Sequence, residues 1–110
     1  MIKGIGVDIT SIERFDLNHR HFIERILTKN EVECLDALKS TQAKKEYLAS
    51  RFAAKEAFLK ANHVGLGAIS FQEIEVMNTK EGQPFFTNSS AHLSISHDGG
   101  FAIAFVVLED

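Results

Sequence analysis

The sequence predicts an α+β domain in which an antiparallel sheet carries helices packed on one face. Three observations predict it. The first residues alternate like a strand, helix-favouring sequence fills the middle, and a two-residue period returns from Ile69 to the end. At 110 residues the chain is read as one domain, 1–110, able to bury a core yet small enough to gain from oligomerisation. Its 45% hydrophobic and 25% charged residues sit at the globular average. A net charge of −3 argues against general nucleic-acid binding, which needs a basic face. No apolar run approaches the roughly 20 residues of a membrane span, so no membrane partner is expected. Met1-Ile2-Lys3-Gly4 enters a strand pattern at once, without the apolar stretch of a signal peptide. The single cysteine, Cys34, excludes an internal disulfide, reads as a small buried hydrophobe and suits a reducing cytoplasm.

Ile2 to Ile9 reads as the first strand. Ile5, Val7 and Ile9 share one face, while Gly4, Gly6 and Asp8 share the other. Two glycines on one face imply close approach by another backbone. Thr10-Ser11-Ile12-Glu13 has capping-box spacing and predicts a short helix carrying Ile12, Arg14 and Phe15, which puts Asp8 at a strand-to-helix junction. An amphipathic turn or two follows, with Phe22, Ile23, Ile26 and Leu27 apolar and Arg20 and Arg25 among its charges. Thr28-Lys29-Asn30-Glu31 is a second capping box, opening a helix to Leu38 with Val32 and Leu35 inward.

The long helix runs from the Lys39-Ser40-Thr41 connector to about Asn62, with no Gly or Pro from Ser40 to His63. At about 100° per residue, Leu48, Phe52 and Leu59 form an apolar stripe. Glu56 and Lys60 border it on one side, Arg51 and Lys55 on the other. Ala49, Ala53 and Ala57 make a small face that admits a neighbouring backbone. Taken alone, Glu56 and Lys60 are compatible with an i,i+4 surface pair. Asn62-His63-Val64-Gly65-Leu66-Gly67 ends the helix; its glycines Gly65 and Gly67 either terminate it or let amides approach a phosphate.

Ile69 to Met77 reads as a strand, followed by the turn Asn78 to Gly82. Pro84 restricts Phe85-Phe86-Thr87 to a short edge strand. Ala91, Leu93, Ile95 and His97 share one face of the next strand; His92, Ser94 and Ser96 share the other. Asp98-Gly99-Gly100 reads as a hairpin turn. Phe101 to Leu108 is apolar on both faces, as expected of a central strand covered by the helical layer and by a neighbouring subunit.

The glycine face of the first strand and the alanine face of the long helix are complementary. If they pack, Asp8 and Glu56 meet. Two carboxylates in one cleft repel unless a cation lies between them, and so few protein oxygen ligands suit Mg²⁺, which takes its other ligands from water and substrate phosphates. Lys60, Arg51 and Lys55 would then hold phosphate charge. There is no zinc spacing, Walker loop or dinucleotide fingerprint.

Gly4-Ile5-Gly6-Val7-Asp8-Ile9, then Arg51-Phe52-Ala53-Ala54-Lys55-Glu56-Ala57-Phe58 with Lys60, then Leu93-Ser94-Ile95-Ser96-His97 resemble holo-[acyl-carrier-protein] synthase, the short bacterial class of 4′-phosphopantetheinyl transferases. The resemblance covers nearly the whole chain, with the motifs in order. It implies a homotrimer with active sites at subunit interfaces. It implies transfer of 4′-phosphopantetheine from coenzyme A to a serine of apo acyl carrier protein, Mg²⁺-dependent, in fatty acid biosynthesis, with release of adenosine 3′,5′-bisphosphate.

By that resemblance Asp8 and Glu56 are the Mg²⁺ ligands and Lys60 lies near the transferred phosphate. The serine proton passes either to Glu56 or to a metal-bound water near Asp8. His97 is expected to contact a coenzyme A phosphate; Arg51 and Lys55 are further contacts or members of structural ion pairs. Arg14 matches a position that docks the acidic helix of the carrier protein, assisted by Arg20 and Arg25. One departure is the turn after the long helix, where His63-Val64 replaces the family's usual Gly-Thr before Gly65. Another is the region from Asn18 to Phe22, which is shorter than usual. Two other classes share the composition: a non-catalytic coenzyme A or nucleotide-binding module, and a trimeric scaffold whose charged helix is merely solvated.

Overall fold

Why the strand and the long helix lie together is visible at two glycines. In the computed structural model, which describes residues 1–65 and 69–110, a Cβ added to Gly4 would lie 2.0 Å from the Ala61 carbonyl oxygen. One added to Gly6 would lie 2.0 Å from the Ala57 carbonyl oxygen and 2.8 Å from the Ala61 nitrogen. Any side chain there would force helix and strand apart. The partners are Ala57 and Ala61, both fully buried, so the small-residue seam expected from sequence exists and extends one turn further along the helix.

Strand β1 spans Ile2–Ser11. It continues through Thr10 and Ser11 because they pair with Ala102 and Phe101, so the expected capping box at Thr10-Glu13 does not form. Only a 3₁₀ turn, Ile12–Arg14, follows, and Ser11 caps it with no side-chain hydrogen bond. Helix α1 covers Arg20–Ile26 and α2 covers Lys29–Ala37. The second capping box is present: the Thr28 amide donates to Glu31 Oε1 at 2.8 Å, and the Glu31 amide donates to Thr28 Oγ1 at 3.3 Å. Helix α3, Thr41–Ala61, starts at Ser40, whose hydroxyl accepts from the Ala43 amide. Residues on several sides of α3 are buried, including Leu48, Ala49, Arg51, Ala53, Ala54, Lys55, Ala57, Leu59 and Ala61. It is a central helix, wider in its burial than the Leu48–Phe52–Leu59 stripe.

Helix α3 closes with a left-handed residue. The His63 amide donates to Lys60 O and the Val64 amide to Leu59 O, while His63 itself has φ of 59°. This is the Schellman arrangement, in which glycine is the favoured residue. His63 therefore falls where the backbone penalises a side chain. His63→Gly is expected to stabilise the fold by about 0.5–1 kcal/mol, read as a higher melting midpoint.

Strands β2 (Val76–Asn78) and β3 (Pro84–Phe86) form a separate antiparallel pair. The expected strand from Ile69 is thus mostly absent. Phe71–Glu73 is a 3₁₀ turn instead, capped by the Ser70 hydroxyl, and the Phe71 carbonyl accepts from the Ile74 amide and from Lys55 Nζ rather than joining a ladder. Strands β4 (His92–Asp98) and β5 (Phe101–Glu109) complete the main sheet, ordered β1-β5-β4 and antiparallel throughout.

Strand β5 is central, as expected. Its Ala102, Ala104 and Val106 are buried toward α3. Its other face, with that of β1, exposes Ile5, Val7, Ile9, Phe101, Ile103 and Phe105, each between 41% and 62% accessible. Across the sheet, Val7 pairs with Phe105 and Ile9 with Ile103, so these side chains form one continuous apolar patch. No helix among the described residues is long and apolar enough to cross a membrane.

Candidate active site

The site lies along the free edge of β1 where α3 crosses it. Gly4 and Gly6 let the helix approach, and Asp8 is the next residue on the same face. Its side chain is 15% exposed. Lys60 Nζ, reaching across the seam, donates to Val7 O at 3.0 Å and lies 3.4 Å from Asp8 Oδ1. Lys60 therefore pairs with Asp8 on the neighbouring element, where the helix alone offered Glu56. On the opposite side of Asp8, Thr10 Oγ1 donates to Oδ2 at 2.7 Å.

Glu56 belongs to the same cluster. Its pKa is raised above the ordinary carboxylate value, first by burial and then by the charge of Asp8, while Lys60 and Arg14 pull it down. Two carboxylates and two cations thus share one field. Arg14 is held there by stacking: its guanidinium lies 4.7 Å from the Phe52 ring centroid and 5.3 Å from that of Phe15. Among the described residues no three His, Cys, Asp or Glu side chains converge as a complete metal cage. Two carboxylates that repel each other nevertheless match a hard cation that draws its remaining ligands from a bound phosphate.

Lys55 takes the second of its two expected roles. It is fully buried, and its amine donates to Ile26 O at 2.7 Å, Glu31 Oε1 at 2.6 Å and Phe71 O at 3.0 Å. All three ammonium donors are spent, leaving none for a ligand. Glu31 is equally satisfied, accepting also from the Val76 amide at 2.7 Å. Of the two roles open to Lys55, this is the structural ion pair, tying α1, α2, α3 and β2 together. Sequence reading missed Glu31 as its partner; the capping box drew attention to Glu31 only as a helix start.

Arg51 is also buried, over the Tyr47 ring at 4.2 Å and hydrogen-bonded to Asn78 Oδ1; its Nε has no partner among the described residues. Its partners, Tyr47 and Asn78, are not members of the Asp8–Glu56 cluster. Arg20 is engaged with Asp36 through two hydrogen bonds, at 2.8 and 2.9 Å, and with Glu24. Arg25 borders a groove of about 380 Å³ with Phe22, Phe52 and Phe71, so Phe52 links the stacked Arg14 to this groove. Arg14 thus stands with Lys60 at the cluster, Arg25 stands at the groove, and Arg20 is paired with Asp36 and Glu24. Gly65 is exposed, and a Cβ added to it would meet nothing within 4 Å among the described residues. Gly67 lies outside the described residues. His97 ends the row Thr10–Ala102–His97 across the sheet, one strand beyond β5 from the Asp8 edge. Cys34 is a free, partly exposed cysteine.

Residues 4–106 match the family model of the 4′-phosphopantetheinyl transferase superfamily. This chain belongs to that superfamily. Phosphopantetheinyl transferases similar to it over their whole length include the holo-[acyl-carrier-protein] synthase of Oceanobacillus iheyensis, 45% identical, with 99% of this chain and 98% of the relative covered. The same-named protein of Bacillus cytotoxicus is 47% identical, with 99% and 97% covered. Among solved structures, a holo-(acyl-carrier-protein) synthase from Bacillus anthracis in complex with coenzyme A (3′,5′-ADP) superposes with a TM-score of 0.88 at 46% identity, covering 97% of this chain and 96% of that one. The α+β fold with helices on one sheet face is therefore the fold of this transferase family.

Proposed function

We propose that this chain is a holo-[acyl-carrier-protein] synthase, transferring 4′-phosphopantetheine from coenzyme A to a serine of apo acyl carrier protein. The observation that carries the proposal is the β1–α3 seam, which sets Asp8, Glu56 and Lys60 together in a chain of this superfamily. The serine Oγ attacks the phosphorus bearing pantetheine, an O–P bond forms, the pyrophosphate bridge breaks, and adenosine 3′,5′-bisphosphate leaves. Asp8 and Glu56 would hold Mg²⁺. When bound, that ion neutralises pyrophosphate charge during transfer.

Lys60, half-exposed beside Asp8, faces the phosphate as a point charge. Glu56, with its raised proton affinity, is one of two acceptors for the serine proton, the other being a water near Asp8. Arg14 and Arg25 would meet an acidic carrier helix, giving an acidic enzyme a local basic patch. His97 remains a proposed coenzyme A phosphate contact. Cytoplasmic fatty acid biosynthesis is the setting this reaction fits.

The proposal is tested by mixing the protein with apo acyl carrier protein, coenzyme A and Mg²⁺ and weighing the carrier. A mass gain of one phosphopantetheine group is expected; an unchanged carrier overturns the proposal. Ligand binding without turnover would instead identify a coenzyme A-binding module.

The apolar face of β1 and β5 is proposed as the contact between three copies. Six large apolar side chains on one sheet face exceed what a soluble monomer normally leaves bare. Phe105→Glu is expected to reduce the mass found by light scattering from that of a trimer to that of a single chain. A trimeric variant would remove this face from the interface.

A further inference from the structure

The residue left over by the site's reading is Thr10. Its helix-start role is gone, because β1 continues through it, and the residue is only 1% exposed. Its hydroxyl has one hydrogen-bond partner among the described residues, Asp8 Oδ2 at 2.7 Å.

We propose that Thr10 is a positioning residue for Asp8, fixing the plane of its carboxylate so that it is presented to a divalent cation in one orientation. The inference rests on Asp8 and Glu56 holding that cation. Asp8 and Thr10 lie two residues apart on one strand face, and Gly4 and Gly6 precede them, so Thr10 supplies the adjacent side chain along β1. An aspartate carboxylate turns readily about its terminal torsion, whereas a β-branched threonine is stiff at χ1. A buried, stiff hydroxyl donating to Oδ2 therefore sets where both Asp8 oxygens point. Lys60 does not do this alone. It is 54% exposed, 3.4 Å from Oδ1, and donates also to the Val7 carbonyl. Glu56 brings a like charge to Asp8 and, when ionised, has no proton to donate to it. Among these neighbours, Thr10 gives the one short hydrogen bond from a buried donor.

Partners that orient a ligating carboxylate are worth roughly 10–100-fold in metal affinity. Valine has the shape of threonine without the hydroxyl, and serine keeps the hydroxyl without the methyl. The test titrates Mn²⁺ into each protein with coenzyme A present, reading free Mn²⁺ by electron paramagnetic resonance, and follows transfer as Mg²⁺ is varied. Thr10→Val should weaken Mn²⁺ binding about tenfold and raise the Mg²⁺ concentration for half-maximal transfer, with kcat recovered at saturating Mg²⁺. Thr10→Ser should restore most of the affinity. A merely structural threonine would lower the melting midpoint without moving the metal titration. Equal Mn²⁺ affinity in Thr10→Val and the unaltered protein overturns the proposal, as does equal loss in Thr10→Ser and Thr10→Val. If the unaltered protein holds no Mn²⁺, the cation reading of the site falls, and the role of Thr10 with it.

Discussion

Glu56→Gln should lower transfer to acyl carrier protein by about 10³-fold or more while leaving the protein folded. A metal's stabilisation of transition-state charge amounts to several kcal/mol, and each 1.36 kcal/mol is about a factor of ten. Glutamine keeps the shape of Glu56 but removes the charge that attracts a cation. The same substitution relieves a repulsion. Glu56 is held above its ordinary pKa by burial and by Asp8, so its ionised form gains nothing from the fold at neutral pH. The melting midpoint should therefore stay level or rise. Loss of activity with an intact midpoint places Glu56 in the chemistry; retained activity would remove it from the metal pair.

Gly6→Ala carries the largest expected effect on stability. The new methyl would lie 2.0 Å from the Ala57 carbonyl oxygen and 2.8 Å from the Ala61 nitrogen, both backbone atoms of α3. No rotamer relieves a clash between backbones, so α3 must move off β1. The cost is about 3 kcal/mol or more, at the upper end of what overpacking normally exacts. Because Asp8 lies on the strand and Glu56 and Lys60 on the helix, the displacement also opens the site. Denaturant unfolding should show a lower midpoint, and any folded fraction should bind coenzyme A more weakly. A variant as stable as the parent would contradict the close seam on which the site is built.

That seam was legible in the sequence because two rare features coincide. Glycines at alternate strand positions and alanines along one helix face each signal a missing side chain, and together they specify a contact. The central strand was legible for a similar reason, since Phe101 to Val107 has no polar face. Lys60 was harder. Its angular position on α3 suggests Glu56, but its reach to Asp8 depends on how closely the seam lets β1 approach. Lys55 was harder still, because its burial is decided by Glu31, 24 residues away, whose carboxylate arrives with α2. Thr10 misled through a local pattern. The Thr-x-x-Glu spacing is a helix signal only where the chain is free to turn, and pairing with Ala102 keeps it extended. The Phe71 carbonyl is likewise taken by a distant residue, Lys55, as well as by the Ile74 amide, where a strand reading expected a ladder partner.

The central claim is that Asp8 of the strand and Glu56 of the helix hold one cation between them. It is tested most directly by crystallising the protein with coenzyme A and Mn²⁺ and recording anomalous scattering at the manganese edge. The expected result is a single peak bonded to a carboxylate oxygen of Asp8, one of Glu56 and a coenzyme A phosphate. A peak that touches neither carboxylate, or coenzyme A bound with no metal at the seam, would contradict the account.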